Sequence, residues 1–121
     1  MIQKFTIPAR LPGLNEIIEA NRTNRYEGAK QKEIADMLVA FHAKRIKPLE
    51  TPCVVKIRFI EPNKKRDIDN IYSGAKFVLD GLRKAGILKN DSQKWVVDLK
   101  CEIGFDKEAR VEVEIDDMDI L

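Results

Sequence analysis

A chain of 121 residues, 44% hydrophobic and 35% charged, has the size and composition of one globular domain with a single core. No apolar run approaches the roughly 20 residues needed to cross a bilayer, and the opening "MIQKFTIPARLPG" has no apolar leader segment, so a cytoplasmic location without membrane contact is expected. The net charge of +2 hides an asymmetry: residues 1–66 hold 14 Lys/Arg against 7 Asp/Glu, whereas 67–121 hold 8 against 13, a basic half suited to phosphates joined to an acidic half that argues against simple nucleic-acid coating.

In chain order, "IQKFTI" reads as a first strand ended by Pro8 and Pro12. A short helix around "LNEIIEA" precedes a polar turn, "NRTNR". Residues 29–46 form a longer helix, with Ile34, Met37, Leu38, Phe41 and Ile46 close to one apolar stripe, and Pro48 stops it. "CVVKIRFI" alternates, with Cys53, Val55, Ile57 and Phe59 on one face. Residues 68–85 are helical, Ile68, Ile71, Ala75, Val78, Leu82 and Ala85 recurring at steps of three or four, with Gly86 at the C-terminal cap. "WVVDLKCEIGF" is the clearest strand; Trp95 to Phe105 alternate against Asp98, Lys100 and Glu102, and Val111, Val113 and Ile115 complete a hairpin after the turn "DKEA".

These elements predict an α/β (α+β) fold over one small domain, residues 1–121. It has a mixed four-stranded sheet with helices on one face, in the order β-α-α-β-α-β-β, and parallel pairing of the strands flanking the second long helix. Phe5, Phe41, Phe59 and Trp95 fall in core phase, leaving Tyr26 and Tyr72 freer. Cys53 and Cys101 have no CxxC partner, cannot build a four-ligand zinc site, and read as buried free thiols. The acidic tail "DDMDI" reads as a solvated terminus.

The stretch "KKRDIDN", residues 64–70, sets three cations before two aspartates one residue apart. One reading is a helix cap, Asp67 with Asn70 three residues on, behind a solvated basic loop. The other is a carboxylate pair for a hard divalent cation beside a phosphate-binding patch. Capping needs only one aspartate. At about 100° per residue, Asp69, Ser73, Lys76 and Asp80 share the polar face of the helix, so a lysine is available to offset phosphorane charge. Beyond it lies the polar loop "LKNDS" with Asp91.

The stretch "KRDIDNIYSGAKFVLDGLRKAGILKNDS" closely resembles the central motif of RusA-type Holliday junction resolvases: a basic run, Asp-x-Asp-Asn, a lysine before "xxLDxL", "KAG" and an acidic pair. The N-terminal "LPGLN" resembles the family's Pro-x-x-Asn element. The resemblance implies a homodimeric endodeoxyribonuclease that uses Mg²⁺, with Mn²⁺ as an alternative, to cut four-way DNA junctions in recombination and repair, without a nucleotide cofactor and often carried by prophages. Asp67, Asp69 and Asp91 match its essential metal-binding carboxylates. Asn90 departs from the acidic pair. The family lysine commonly lies four residues after the second aspartate, which here is Ser73. Lys76 precedes the "LD" aspartate, Asp80, as the family lysine does, and takes the catalytic lysine role.

One geometric difficulty follows. A continuous helix from Asp69 to Ala85 is about 24 Å long, whereas Gly86 to Asp91 reaches at most about 20 Å. Either the helix begins late or breaks, or Asp91 completes the partner subunit's site. Arg22, Arg25, Lys30, Lys32, Lys64, Lys65 and Arg66 are the expected DNA-binding residues; Lys44, Arg45 and Lys47 read as solvated charge. Asn15 either supports the site or caps a short helix. Two rival readings are a PD-(D/E)xK-like nuclease built on Asp91, Asp98 and Lys100, which leaves "DIDN" unexplained, and a junction-binding protein without activity. His42 stands alone, which disfavours histidine-based catalysis.

Overall fold

A computed structural model of the chain describes residues 1–118; Asp119 and Ile120 of the acidic tail lie outside the described residues. The elements are β1 (Ile2–Ile7), α1 (Leu14–Thr23), α2 (Arg25–Ala43), β2 (Cys53–Glu61), α3 (Ile68–Tyr72), α4 (Ala75–Lys84), β3 (Val96–Phe105) and β4 (Arg110–Asp117). With α3 and α4 taken as one interrupted stretch, this is the expected β-α-α-β-α-β-β order around a mixed four-stranded sheet. The strand order is β1-β4-β2-β3, with β2 and β3 parallel and β4 antiparallel to both β1 and β2.

That order corrects the expected hairpin. β4 does not lie beside β3; it crosses β2 and enters between β1 and β2. Two inter-strand spacings are about 10 Å, well within the span of the four-residue connection, so loop length could not discriminate. Burial does. Val111, Val113 and Ile115 are at most 2% exposed in the centre, whereas β3 takes the edge.

One sheet face carries the core, with Phe5, Ile7, Val55, Ile57, Phe59, Val113 and Ile115 meeting the helices. The opposite face is an open lattice of charge, in which Lys56 and Arg58 each reach Glu102 at 3.6 Å.

The expected turn at "NRTNR" shrinks to Asn24. Its extended backbone separates α1 from α2, and its side chain accepts the Tyr26 amide at 2.9 Å. The expected stripe of α2 is corrected by half a turn. Ala35, Val39 and Ala43 are buried, while Ile34, Met37 and Phe41 are 57–65% exposed. Small residues win the inner face because α2 packs so closely on α4 that a Cβ at Gly81 would overlap Val39. Phe41 therefore leaves the core. Ile68 leaves it too, at 60% exposure, and Trp95 is half-buried, with Lys89 and Lys94 over its ring.

Candidate active site

β2 ends at Glu61, and the chain turns through Lys64, Lys65 and Arg66 into α3. Asp67 is the residue before the helix, in extended conformation (φ −67°, ψ 149°), and its carbonyl accepts the Ile71 amide at 3.1 Å. Its side chain makes no capping hydrogen bond. The backbone thus starts a helix while the exposed carboxylate is left for other work. Asp69, in the first turn and also exposed, accepts the amide of Asn70 at 2.9 Å.

Asn70 and Ser73 serve a different helix from the one they stand on. The Asn15 amide donates to Asn70 Oδ1 at 3.0 Å, and the Leu14 amide donates to Ser73 Oγ at 2.9 Å. Ser73 in turn donates to the Asn70 carbonyl at 2.7 Å. Two of the orphan donors at the start of α1 are thereby satisfied by the aspartate-bearing stretch. A Cβ at Gly13 would overlap the side chains of both Asn70 and Arg66, so glycine lets the segments "LPGLN" and "DIDN" meet this closely with those two side chains in place. Asn15 joins the site through its backbone, and Asn70 is not the partner of Asp67 in a cap.

Of the three cations, Lys64 and Lys65 are exposed, Lys64 with its ammonium 5.6 Å from the centre of the Phe105 ring. Arg66, expected beside them, is turned inward. Its side chain is 14% exposed, 3.7 Å from Glu61 and 3.5 Å from Glu16, and it reaches the Leu11 carbonyl at 3.4 Å. Its Nε is buried without a partner. Glu61, only 3% exposed, is also held by Arg10 at 2.7 Å. This Arg10–Glu61–Arg66 cluster fixes the loop that carries the aspartates. It had no sequence signal beyond a glutamate in the buried phase of a strand.

Lys76 stands in the first turn of α4 with its ammonium 3.3 Å from Asp80. The stretch is interrupted at Ser73–Gly74, so the expected continuous polar face is divided between two helices. Asp91 lies before β3 and pairs with Arg83 at 3.6 Å. Asp67 and Asp69 follow the C-terminal end of β2, whereas Asp91 precedes the N-terminal end of β3, which runs parallel to it. The third aspartate is therefore at the other end of the sheet. Among the described residues, no three His, Cys, Asp or Glu side chains converge as a metal-binding group.

A family model described as Endodeoxyribonuclease RusA matches residues 12–116, from the start of "PGLN" to the last strand. The chain belongs to the RusA endodeoxyribonuclease family. No curated relative matches it. The RusA match runs through both segments that meet at Asn15 and Asn70.

The other expected DNA contacts lie on the helical side. Arg22, Arg25, Lys30 and Lys32 are exposed along α1 and α2, Arg22 within 3.9 Å of Glu19. Asp98 and Lys100 are exposed on β3, on the open charged face of the sheet and separate from Asp91 in its loop. Besides Glu61, Asp36 on α2 is buried, 4% exposed and 3.7 Å from Lys84; burial and the nearby Asp80 raise the Asp36 carboxyl from 3.8 against the pull of Lys84.

Proposed function

We propose that this RusA-family chain is a metal-dependent endonuclease that resolves four-way DNA junctions by paired phosphodiester hydrolysis, acting as a cytoplasmic homodimer in recombination and repair. The observation that carries the reading is the state of Asp67: a residue in capping position whose carboxylate does not cap, one residue from exposed Asp69 and beside exposed Lys64 and Lys65.

Hard oxygen donors of this kind suit Mg²⁺ or Mn²⁺, and Asp67 and Asp69 are the residues that would hold it; Asp91, at the other end of the sheet within its own chain, would join them only from the partner subunit. When bound, such an ion activates water and neutralises charge on the scissile phosphate. The chain's own residues supply the rest. Lys64 and Lys65 draw the backbone phosphates in, with Arg22, Arg25, Lys30 and Lys32 extending the surface along the helices. Lys76 offsets charge at the reacting phosphate once released from Asp80. Arg66 does not contact DNA; it holds the loop to Glu61 so that the aspartates are presented in one geometry.

Cleavage of a labelled synthetic four-way junction, beside a linear duplex of the same arms, tests the reading with Mg²⁺, Mn²⁺ and chelator. Paired symmetrical nicks confined to the junction, dependent on metal and lost in Asp69→Asn, are expected. Equal cutting of the duplex would replace the reading with a general nuclease and bring Asp98 and Lys100 forward. Tight binding without cutting would leave a junction-binding protein.

A further inference from the structure

The second half of the chain is acidic except in one place. Residues 83–95 hold four Lys/Arg against one aspartate, while the other residues of 67–121 hold four against twelve. This basic island runs from the last turn of α4, through the loop of Asp91, to the start of β3. It lies at the sheet end opposite the Asp67–Asp69 stretch and contains Trp95, the single tryptophan of the sequence.

The loop is closely tied. Leu88, 4% exposed, anchors its start. The Asn90 side chain accepts the Ser92 amide at 2.9 Å, and the Ser92 carbonyl accepts the amides of Trp95 and Val96, both at 2.9 Å. The Trp95 carbonyl accepts the Cys53 amide at 2.9 Å, which joins the end of the loop to β2. The half-buried indole is thus fixed, and two ammoniums stand over it: Lys89 at 5.2 Å from the ring centre and Lys94 at 5.9 Å. Glu50 lies 3.4 Å from Lys89, but its side chain is 79% exposed, and a solvated pair of that kind contributes little. Lys94 meets no carboxylate among the described residues. Two ammoniums gathered over one ring repel each other, and an anion reached by both would turn that repulsion into attraction.

The two lysines flank Asp91, one two residues before it and the other three residues after. A carboxylate carried toward a phosphodiester repels it, and cations on both sides of that carboxylate reverse the sign of the local field. A lysine also gives up rotamer freedom when it grips a phosphate, and one already laid on a ring gives up less. We propose that Lys89, Lys94 and Trp95 form a second DNA-backbone site, in which the indole holds the two ammoniums for the phosphates on either side of the one that Asp91 approaches. Trp95 is a positioning residue in this arrangement, and the lysines make the contact. The inference rests on the proposed function for DNA as the ligand and for the role of Asp91. Within one chain it extends DNA contact from Lys64 and Lys65 to the opposite end of the sheet, about 30 Å away along the ten residues of β3.

Because Trp95 is the only tryptophan, its emission reports this site alone. A labelled four-way junction, titrated in chelator so that nothing is cut, should shift that emission over the same concentration range as binding. Acrylamide should quench the emission less in the complex than in the free protein. Lys89→Ala and Lys94→Ala should each lower the log–log salt slope of junction binding by about 0.9. Both side chains are exposed, so neither change should move the thermal melt. Trp95→Leu keeps both charges and loses the ring; it should bind about two- to fivefold more weakly, whereas Trp95→Phe should stay close to wild type. A wild-type salt slope in either lysine variant overturns the site, as does a bound junction that leaves Trp95 emission and acrylamide access unchanged. A junction bound as expected but not cut when Mg²⁺ is restored upholds the site and removes the nuclease reading. A chain that binds neither junction nor duplex removes both.

Discussion

The Asn15 amide lies 3.0 Å from the side-chain oxygen of Asn70, so the first helix begins on the same short stretch that presents Asp67 and Asp69. Removing that oxygen with Asn70→Ala should cost about 1 kcal/mol, the usual scale for a lost helix-terminal acceptor. Amide exchange in α1 should accelerate, while β2 and β4 keep their protection. Asn70→Asp, which keeps the acceptor, should restore most of the loss in a urea titration.

Asp67 and Asp69 are exposed; the Asp67 side chain makes no capping bond, and Asp69 accepts only the neighbouring Asn70 amide, a bond that an asparagine oxygen can also accept. Asp67→Asn and Asp69→Asn should therefore change stability by no more than about 0.5 kcal/mol. Metal-dependent junction cutting should vanish in both. Junction binding in chelator should be retained or tightened, since a negative charge facing phosphate has been removed. Thermal melts and a binding titration separate these effects.

The three neighbouring cations should separate cleanly. Lys64→Ala and Lys65→Ala should each leave the fold untouched and reduce the salt dependence of junction binding by about 0.9 in log–log slope. Arg66→Ala should do the opposite. It strips one partner from buried Glu61 while Arg10 stays at 2.7 Å, a loss of about 1–3 kcal/mol in unfolding free energy. A destabilised variant with an unchanged salt slope is the expected signature.

Asp36 is buried between α2 and α4, with Lys84 and Asp80 near it and one carboxylate oxygen unpartnered. Burial raises its carboxyl above the ordinary 3.8, so the folded state holds this proton more tightly than the unfolded state. The contribution to stability is fully present below 3.8 and is lost as pH rises through the folded value. Asp36→Asn should consequently be more stable than wild type at pH 7. The gain should shrink on acidification and be gone at pH 3, as urea midpoints across that range would report.

The sequence carried the element order, the parallel β2–β3 crossover and the buried faces of β2 and β4, because strict alternation has only one way to be buried. It misled on α2. Ile34, Met37 and Phe41 make a stripe that periodicity assigns to the core, but the contact with α4 is set by Gly81 and Val39, and only small residues fit there. A wide apolar stripe and a narrow small-residue stripe coexist on that helix, and hydropathy weights only the first. The place of β4 was illegible for another reason: which edge a strand joins depends on tertiary burial, not on its own pattern. At the candidate site, the exposed "DIDN" aspartates were readable as motif. The inward turn of Arg66 was not, because its partners Glu16 and Glu61 are 50 and 5 residues away and no local pattern links them.

The turn at Ser73–Gly74 divides what a single helix would have locked into one phase. Upstream of it, α3 is held by Ile71 in the core and by its bonds to the start of α1; downstream, Phe77, Val78 and Leu82 anchor α4 independently. Residues gained or lost at such a joint change a connection rather than rotate every side chain after it. The spacing between the aspartates and the following lysine is then free to drift during evolution, while both flanks stay in register with the core. Homologous positions in this stretch are best matched inward from Asp69 on one side and Leu82 on the other, with the count between them left open.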